Sequence, residues 1–476
     1  MNNDRLFKAL RRAGMDVSYD PPMYRVRLAN DIDCPVAEIL LPEDLPVESK
    51  AFLQLARLAA VRHPDSGRIT RVRATPDFHP GDSGVAIGSV IETEGLLIPQ
   101  AVGTDINCGM RLHTTDIGLD IFLSKRDAFV ARMKGEYFLG SRDIRLDWTT
   151  AQAMFSEGVP GFLSQIPNSC PVSLKMSSIK QLWDDADNIM LSGCCTGGIG
   201  WAPDGLAPNE GYVRDGGLAT IGGGNHFVEM QVVDDVINAG LAWEWGIRKS
   251  NIVFMVHSGS RDVGKHVGVA FIDKVKAAWP KGVKWTSSGI LAISEKMSPD
   301  LFDEYLVAEG TASNYAFVNR MLLAELLRLA LRDLHGEVDA PLLYDAPHNI
   351  TLKEGDRYVI RKGACMAYVD QPVIIPGSMG TPSFLCVGKG SDAMISSASH
   401  GAGRAQSRFA MSRDGAKKDE ESLGLVGVDC VTMREERRIE EAPAAYKAIG
   451  PVIDAQVKAG VLSIVAKLRP VLTFKA

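Results

Sequence analysis

Histidine is scarce in this chain, nine residues in 476, and aromatic side chains make up only 7%. No uninterrupted apolar run is long enough to cross a bilayer. The most apolar stretch, Met321 to Leu334, is broken by Glu325, Arg328, Arg332 and Asp333. The opening residues, Met1-Asn2-Asn3-Asp4-Arg5, lack the hydrophobic centre of a secretion signal. Eight cysteines are scattered from Cys34 to Cys430 without a repeating CxxC spacing. A disulfide framework is not expected in a chain this long, so a reduced cytoplasm is the expected location and no membrane is expected as a partner. Charge of one sign is also missing. The net charge is −6, which excludes a global basic field, so any nucleic-acid contact must come from a local patch. No GxxxxGK[ST] loop is present, nor a GxGxxG at a strand–helix junction, so a bound nucleotide would need another scheme. No internal repeat is found.

What is present supports a large core, since 46% of residues are hydrophobic and 23% charged. A 3.6-residue apolar pattern predicts a long amphipathic helix over 318–334, and shorter helices over 51–61 and 121–133. The β-branched runs 252–256, 358–360 and 372–375 end in His257, in Arg361-Lys362-Gly363 and in Pro376-Gly377, and read as buried strands. Residues 193–217, rich in Gly and Pro, read as a surface loop and insertion (190–217 at its widest). The runs 417–421 and 434–438 mix both charge signs. No linker divides the chain, which predicts one interleaved domain over 1–476.

Four histidines sit in unusual strings: Gly223-Gly224-Asn225-His226, His257-Ser258-Gly259-Ser260-Arg261, Pro347-His348-Asn349 and Ser399-His400-Gly401-Ala402-Gly403-Arg404. A fifth string, Asp105-Ile106-Asn107-Cys108-Gly109, spaces a carboxylate and a thiol so that one turn aims both at a single point. Asp105, Cys108, His226, His257 and His348 make a candidate set for one metal, or for two sharing a ligand. Thiolate with imidazole favours Zn²⁺ or Fe²⁺ over harder ions. His400 is left as a candidate nucleophile. Pro376-Gly377-Ser378-Met379-Gly380 and His400–Arg404 resemble anion-binding loops, with Arg404 and Arg408 as forked donors. In Pro76-Asp77-Phe78-His79, Asp77 can orient an imidazole. His63, His113, His266 and His335 show no partner pattern.

Taken together these strings resemble the RtcB family, the GTP- and manganese-dependent RNA ligases. Pro76–His79, Gly103–Gly109, Gly224–Glu229, His257–Arg261, His348-Asn349, Arg361–Ala364, Ile375–Gly380, His400–Arg404, Ala442–Lys447 and Lys475 carry the resemblance, from about residue 70 onward. The N-terminal 1–70 matches less well. The resemblance implies an α+β fold: a single compact domain of mixed, mostly antiparallel sheets surrounded by helices, with the active site in a central cleft.

It also implies roles. Asp105, Cys108, His226, His257 and His348 would hold two Mn²⁺ ions, with Cys108 bridging. His400 would attack GTP to give a histidine–GMP intermediate. The guanylate pocket would comprise Asn225, His226, Phe227, Val228, Glu229, His348, Asn349, Pro376, Gly377, Ser378, Met379, Ser383, His400, Gly401, Ala402, Gly403, Tyr446 and Lys475. Within it, Glu229 and Lys475 would read guanine, and Phe227 and Tyr446 would flank it. The implied activity joins a 2′,3′-cyclic phosphate or 3′-phosphate RNA end to a 5′-hydroxyl end, in tRNA splicing or RNA repair, with an archease-type activator as a further partner. Arg261, Arg404 and Arg408 are the main RNA-contacting candidates, beside Arg111, Lys265, Arg361 and Lys362. Two alternatives remain at this level: a 3′-phosphate guanylyl-capping enzyme, and an idle metal-containing RNA-binding paralogue. Local departures such as Asp262-Val263 after Arg261 and Ser397-Ala398-Ser399 before His400 bear on substrate choice and remove no ligand.

Overall fold

The computed structural model describes residues 3–476, apart from Asp44, Ser287, Ala416 and Lys417. Lys417, part of one charge run noted above, therefore lies outside the described residues. The architecture is α+β, as expected, and built mainly from antiparallel strands.

Two large sheets carry the structure. One has seven strands in the spatial order Met15–Asp20, Met23–Leu28, Ala37–Leu40, Arg68–His79, Ile87–Glu94, Arg357–Lys362 and Asn349–Glu354. Every pairing in it is antiparallel except Ala37–Leu40 with Arg68–His79. The other runs Leu342–Pro347, Gly109–Gly118, Asn251–Ser258, Phe227–Val236, Leu462–Lys475, Ser383–Gly388 and Pro372–Ile375, with Cys430–Thr432 added in parallel to Leu462–Lys475. The apolar runs read from sequence lie in these sheets. Asn251–Ser258, for example, is buried along nearly its whole length, as a strand covered on both faces must be.

The longest helix departs from expectation. It spans Pro299–His335 and is buried on all sides from Ala308 to Leu331, so it runs through the core instead of lying on it. Of its buried charged residues, Arg320, Glu325 and Arg328 are paired inside, whereas Glu309 has no ion pair and accepts from the Thr351 amide. Arg320 meets Asp345 at 2.8 Å, Arg328 meets Asp185 at 2.8 Å, and Glu325 takes the other face of Arg328. Removing one partner from such a buried pair costs about 3–5 kcal/mol, because the other charge is stranded. The helix expected over 51–61 forms at Ser49–Ala59. The one expected over 121–133 breaks at Lys125 into Leu119–Ser124 and Arg126–Tyr137.

The stretch 193–217 is a surface loop stapled to the long helix. The Asn314 side chain accepts from the Cys195 amide (2.7 Å) and donates to its carbonyl (2.9 Å), and Thr311 accepts from the Gly198 amide at 2.9 Å. Its strand Tyr212–Arg214 pairs with Arg145–Asp147. Among the described residues no helix is long and apolar enough to cross a membrane.

Candidate active site

Strand register gathers the proposed ligands. In the eight-stranded sheet Gly109 lies opposite both Pro347 and Ser258, and Phe227 lies opposite His257. Cys108, His348, His257 and His226 therefore stand at one end of four neighbouring strands. His348 is also the residue between strand Leu342–Pro347 of this sheet and strand Asn349–Glu354 of the other, so it sits where the two sheets meet. The turn carrying Asp105 and Cys108 is tight. Asn107 has φ +55°, and a Cβ on Gly259 would lie 2.4 Å from an Asp105 oxygen. Glycine is needed there for the backbone to come this close.

The Cys108 sulfur lies 3.1 Å from His226 Nε2 and 3.2 Å from His257 Nε2. Asp105 Oδ2 is 3.0 Å from His226 Nε2, and His348 Nε2 is 3.3 Å from His257 Nε2. The donor atoms of Cys108, His226 and His257 all fall within 4.8 Å of one another, all three residues being buried. His257 Nδ1 faces the Asn225 carbonyl at 3.2 Å, which fixes its proton there and turns the Nε2 lone pair into the cluster. Imidazole nitrogens, a thiol and a carboxylate thus converge on one point with their lone pairs facing inward, and the Nδ1 atoms of His226 and His348 are buried without a partner. A cation satisfies those inward lone pairs, so this buried group can hold a metal.

Electrostatics agree. Burial, then the neighbouring imidazoles, pushes His257 and His348 well below the usual histidine range, so both are neutral and have a lone pair to offer. Burial and then Asp105 push the Cys108 thiol up. A bound cation reverses that sign, because a coordinated thiol is deprotonated.

His400 comes from the opposite side, just after strand Ser397–Ser399. Its ring centroid is 4.8 Å from that of His348. Its Nδ1–H donates to Asp77 Oδ2 at 2.6 Å, and its backbone N–H reaches the same oxygen at 3.2 Å. Asp77 Oδ1 accepts from the Thr75 hydroxyl at 2.6 Å. Burial alone would raise the Asp77 carboxyl. The His400 ring, by charge and by hydrogen bond, and the Thr75 hydroxyl hold it below the ordinary value, so it is an anion. His400 Nε2 is left as the free nucleophilic lone pair.

Both groups open onto one cleft of about 600 Å³. Its lining includes Asp105, Cys108, Asn225, Phe227, Glu229, His257, His348, Asn349, residues 376–379, residues 400–404, Arg408, Tyr446 and Lys475. Burial raises Glu229 to about 7, against Thr473, Gln231 and Lys475, which favour its charged form. Lys475 donates to the carbonyls of His226 (3.2 Å) and Gly224 (3.4 Å), and burial lowers its pKa.

Some expected residues stand elsewhere. The Val228 side chain points into the core, because strand alternation puts it opposite to Phe227 and Glu229, so only its backbone could meet a ligand. Ser383 is buried beneath the loop, where it accepts from the Gly377 amide at 3.1 Å. Arg111 and Arg361 are fully buried on Asp345 and Glu354, which removes them as RNA contacts. Lys362 does line the cleft, but its ammonium is turned onto the Val102 carbonyl at 2.8 Å. Arg261, at φ +54°, donates to Thr220 at 3.1 Å and is not part of the cleft wall. Arg404 (3.0 Å) and Arg408 (2.8 Å) both grip Glu441. This buried carboxylate, missed in the sequence, also accepts from the Tyr446 hydroxyl. Against the cost of burial, Lys475 and the two arginines hold Glu441 down at about 2. Its adjacency to Ala442–Lys447 was the only signal for it.

The family model described as tRNA-splicing ligase RtcB matches residues 54–476. The chain belongs to the RtcB family. Among curated relatives, it is 31% identical to the tRNA-splicing ligase RtcB of Archaeoglobus fulgidus and 30% identical to that of Thermococcus kodakarensis, each alignment covering 83% of this chain and 85% of the relative. The protein of the same name from Pyrobaculum aerophilum is 29% identical over 83% of this chain and 86% of its own length. The match starts earlier than the quoted motifs do, inside the helix Ser49–Ala59; Lys50, just ahead of the matched range, lines the cleft.

Proposed function

We propose that this protein is a GTP-dependent RNA ligase of tRNA splicing or RNA repair, joining 2′,3′-cyclic phosphate or 3′-phosphate ends to 5′-hydroxyl ends. The observation that carries the reading is the His400–Asp77 pair facing the ligand cluster across one cleft, with the His400 ring 4.8 Å from that of His348.

The chemistry follows from the protonation pattern. His400 Nε2 attacks the α-phosphorus of GTP, the bond to the bridging oxygen breaks, and pyrophosphate leaves. The imidazole keeps its Nδ1 proton and becomes cationic, and the Asp77 carboxylate stabilises that charge. A cyclic end is first opened by water, which frees the 2′-hydroxyl and leaves a 3′-phosphate; a 3′-phosphate oxygen of the RNA then takes the GMP from His400. The 5′-hydroxyl attacks the activated 3′-phosphorus and GMP departs.

Asp105, Cys108, His226, His257 and His348 would hold Mn²⁺, two ions by family resemblance, which supplies charge neutralisation at the phosphates and lowers the pKa of bound water. Glu229 accepts from the N1 and N2 hydrogens of guanine, Lys475 donates to O6, and Phe227 and Tyr446 flank the ring. Residues 376–379 and 400–403 offer amides to the phosphates. One ligase domain spanning the whole chain, cytoplasmic placement and an archease-type activator belong to the same reading. The first draws support from the seven-stranded sheet, which joins residues 15–40 to the strand bearing Asp77.

Incubation with α-labelled GTP and Mn²⁺ is expected to label the protein through an acid-labile bond, and His400→Ala to abolish it. A label that survives in His400→Ala refutes the nucleophile assignment. Supplying a cyclic-phosphate strand and a 5′-hydroxyl strand is then expected to yield joined product. Accumulation of a GMP-capped 3′ end alone would make the protein a capping enzyme.

A further inference from the structure

The strand Arg68–His79 does not run regularly to its end. Ala74 pairs with Ser89 and His79 with Ile87, so residues 75–78 on one strand face only Gly88 on the other. Gly88 has φ +90°, and a Cβ there would sit 3.0 Å from Thr75 Oγ1 and 3.3 Å from Asp77 Oδ1. A bulge of this kind re-aims a side chain and takes backbone groups out of the ladder. Buried carbonyls outside a ladder need other donors.

Three of the four carbonyls in the bulge have one. The Lys447 ammonium donates to Pro76 O at 3.2 Å and to Phe78 O at 2.6 Å, and the His79 Nδ1–H donates to Asp77 O at 2.8 Å. The Lys447 backbone amide also donates to Gly403 O at 2.9 Å. Gly403, at φ +76°, lies so close that a Cβ would come within 2.1 Å of Asp77 O. Lys447 therefore ties the bulge to the loop that carries His400. Its side chain is buried and engages only carbonyl oxygens, with no carboxylate ion pair among the described residues. A structural cap could be neutral, so an unpaired buried ammonium is a costly way to build one.

We propose that Lys447, assisted by His79, is a positioning residue that holds the bulge so that Asp77 Oδ2 meets His400 Nδ1 in line. The inference rests on the reading of His400 as nucleophile. Burial lowers Lys447 to about 8, with Asp77 opposing, and drives His79 down to about 3. His79 is therefore neutral and keeps its donor proton, as the clamp requires.

The test is Lys447→Met, which keeps the aliphatic stem and deletes the ammonium. In single-turnover labelling with α-labelled GTP and Mn²⁺, the labelling rate is expected to fall at least tenfold. The GTP concentration for half-maximal rate should move less than twofold, and metal content should be unchanged. Lys447→Arg should restore part of the rate. The downfield proton resonance of His400 Nδ1–H, identified by its absence in His400→Ala, should shift or broaden in Lys447→Met without any GTP present. If Lys447→Met does not fold, His79→Ala, which deletes the donor to Asp77 O together with a ring at the cleft wall, should show the same loss of labelling rate and shift of the resonance in milder form. Wild-type rate and an unmoved resonance in a folded variant would overturn the proposal, as would a rate lost only in step with the folded fraction. If the wild-type protein takes no label, the nucleophile reading fails, and the resonance still decides whether Lys447 sets the Asp77–His400 pair.

Discussion

Asp77→Asn isolates one negative charge. All three contacts on Asp77 approach as donors: the His400 ring N–H, the His400 backbone N–H and the Thr75 hydroxyl. An asparagine must turn its NH₂ toward one side. The oxygen facing His400 receives a backbone N–H that cannot rotate, whereas Thr75 can turn its hydroxyl to accept and still has the Gly88 carbonyl at 3.2 Å. The amide therefore settles with its carbonyl on His400, and the tautomer survives. What is lost is the charge-assisted part of the hydrogen bond, about 1–2 kcal/mol in a buried setting. Most of it falls in the transition state, where the imidazole becomes cationic, so labelling with α-labelled GTP should slow by about 10-fold, since about 1.4 kcal/mol is a factor of ten. Rapid-quench measurement of histidine–GMP formation reads this directly. The amide flipped the other way would fix the wrong tautomer, a loss of about 10⁴-fold by analogy with the serine-protease triad. A rate within twofold of wild type would refute the role of Asp77. The carboxyl is held below its unfolded value, so it adds stability above the ordinary carboxylate range and loses it as pH falls through the folded value. The Tm gap between variant and wild type should close on acidification.

Cys108→Ala should cut bound metal after dialysis to well under half of wild type, read by elemental analysis. Because the wild-type thiol is pushed up by burial and Asp105, its metal loading should weaken as pH falls. Full metal content in the variant would exclude Cys108 from the site. Gly403→Ala places a Cβ 2.1 Å from Asp77 O in a left-handed backbone, and should abolish labelling while metal content stays at the wild-type level. Glu309 is buried and raised to about 7, so over the interval from about 4.5 to 7 the folded state binds more protons than the unfolded and stability falls as pH rises. Glu309→Gln should therefore stabilise the fold at pH 8, by on the order of 2 kcal/mol in denaturant melts, with the gain gone at pH 5. An equal effect at both pH values would refute that account.

The ligand cluster was readable in the sequence because each member sits at a strand end or a glycine-bordered turn, and such strings leave a local mark. The β-branched runs marked strands, Ile252–Val256 above all, which became the strand Asn251–Ser258, while the α+β class was implied by the family resemblance. The partner of His400 was legible only in part. Asp77 stood out as a residue able to orient an imidazole, but its aim depends on a bulge in which four residues face one, and a period-two pattern carries no trace of that. Arg111 and Arg361 looked like surface charges because nothing nearby in sequence announces Asp345, Asp185 or Glu354. Glu441 is defined by Arg404, Arg408 and Tyr446 converging on it, a purely three-dimensional fact. Val228 is the opposite case. Alternation along its strand already separates it from Phe227 and Glu229, so that misplacement was avoidable.

Arg320, from the middle of the buried helix, donates to Asn107 O at 2.6 Å, Ser258 O at 3.2 Å and Asp345 Oδ1 at 2.9 Å. One guanidinium thus rivets together the backbone next to Cys108, His257 and the strand leading to His348. The donor atoms of the cluster are thereby tied to the middle of the molecule. An empty centre should therefore keep its shape, and a metal should enter a ready-made socket with little rearrangement.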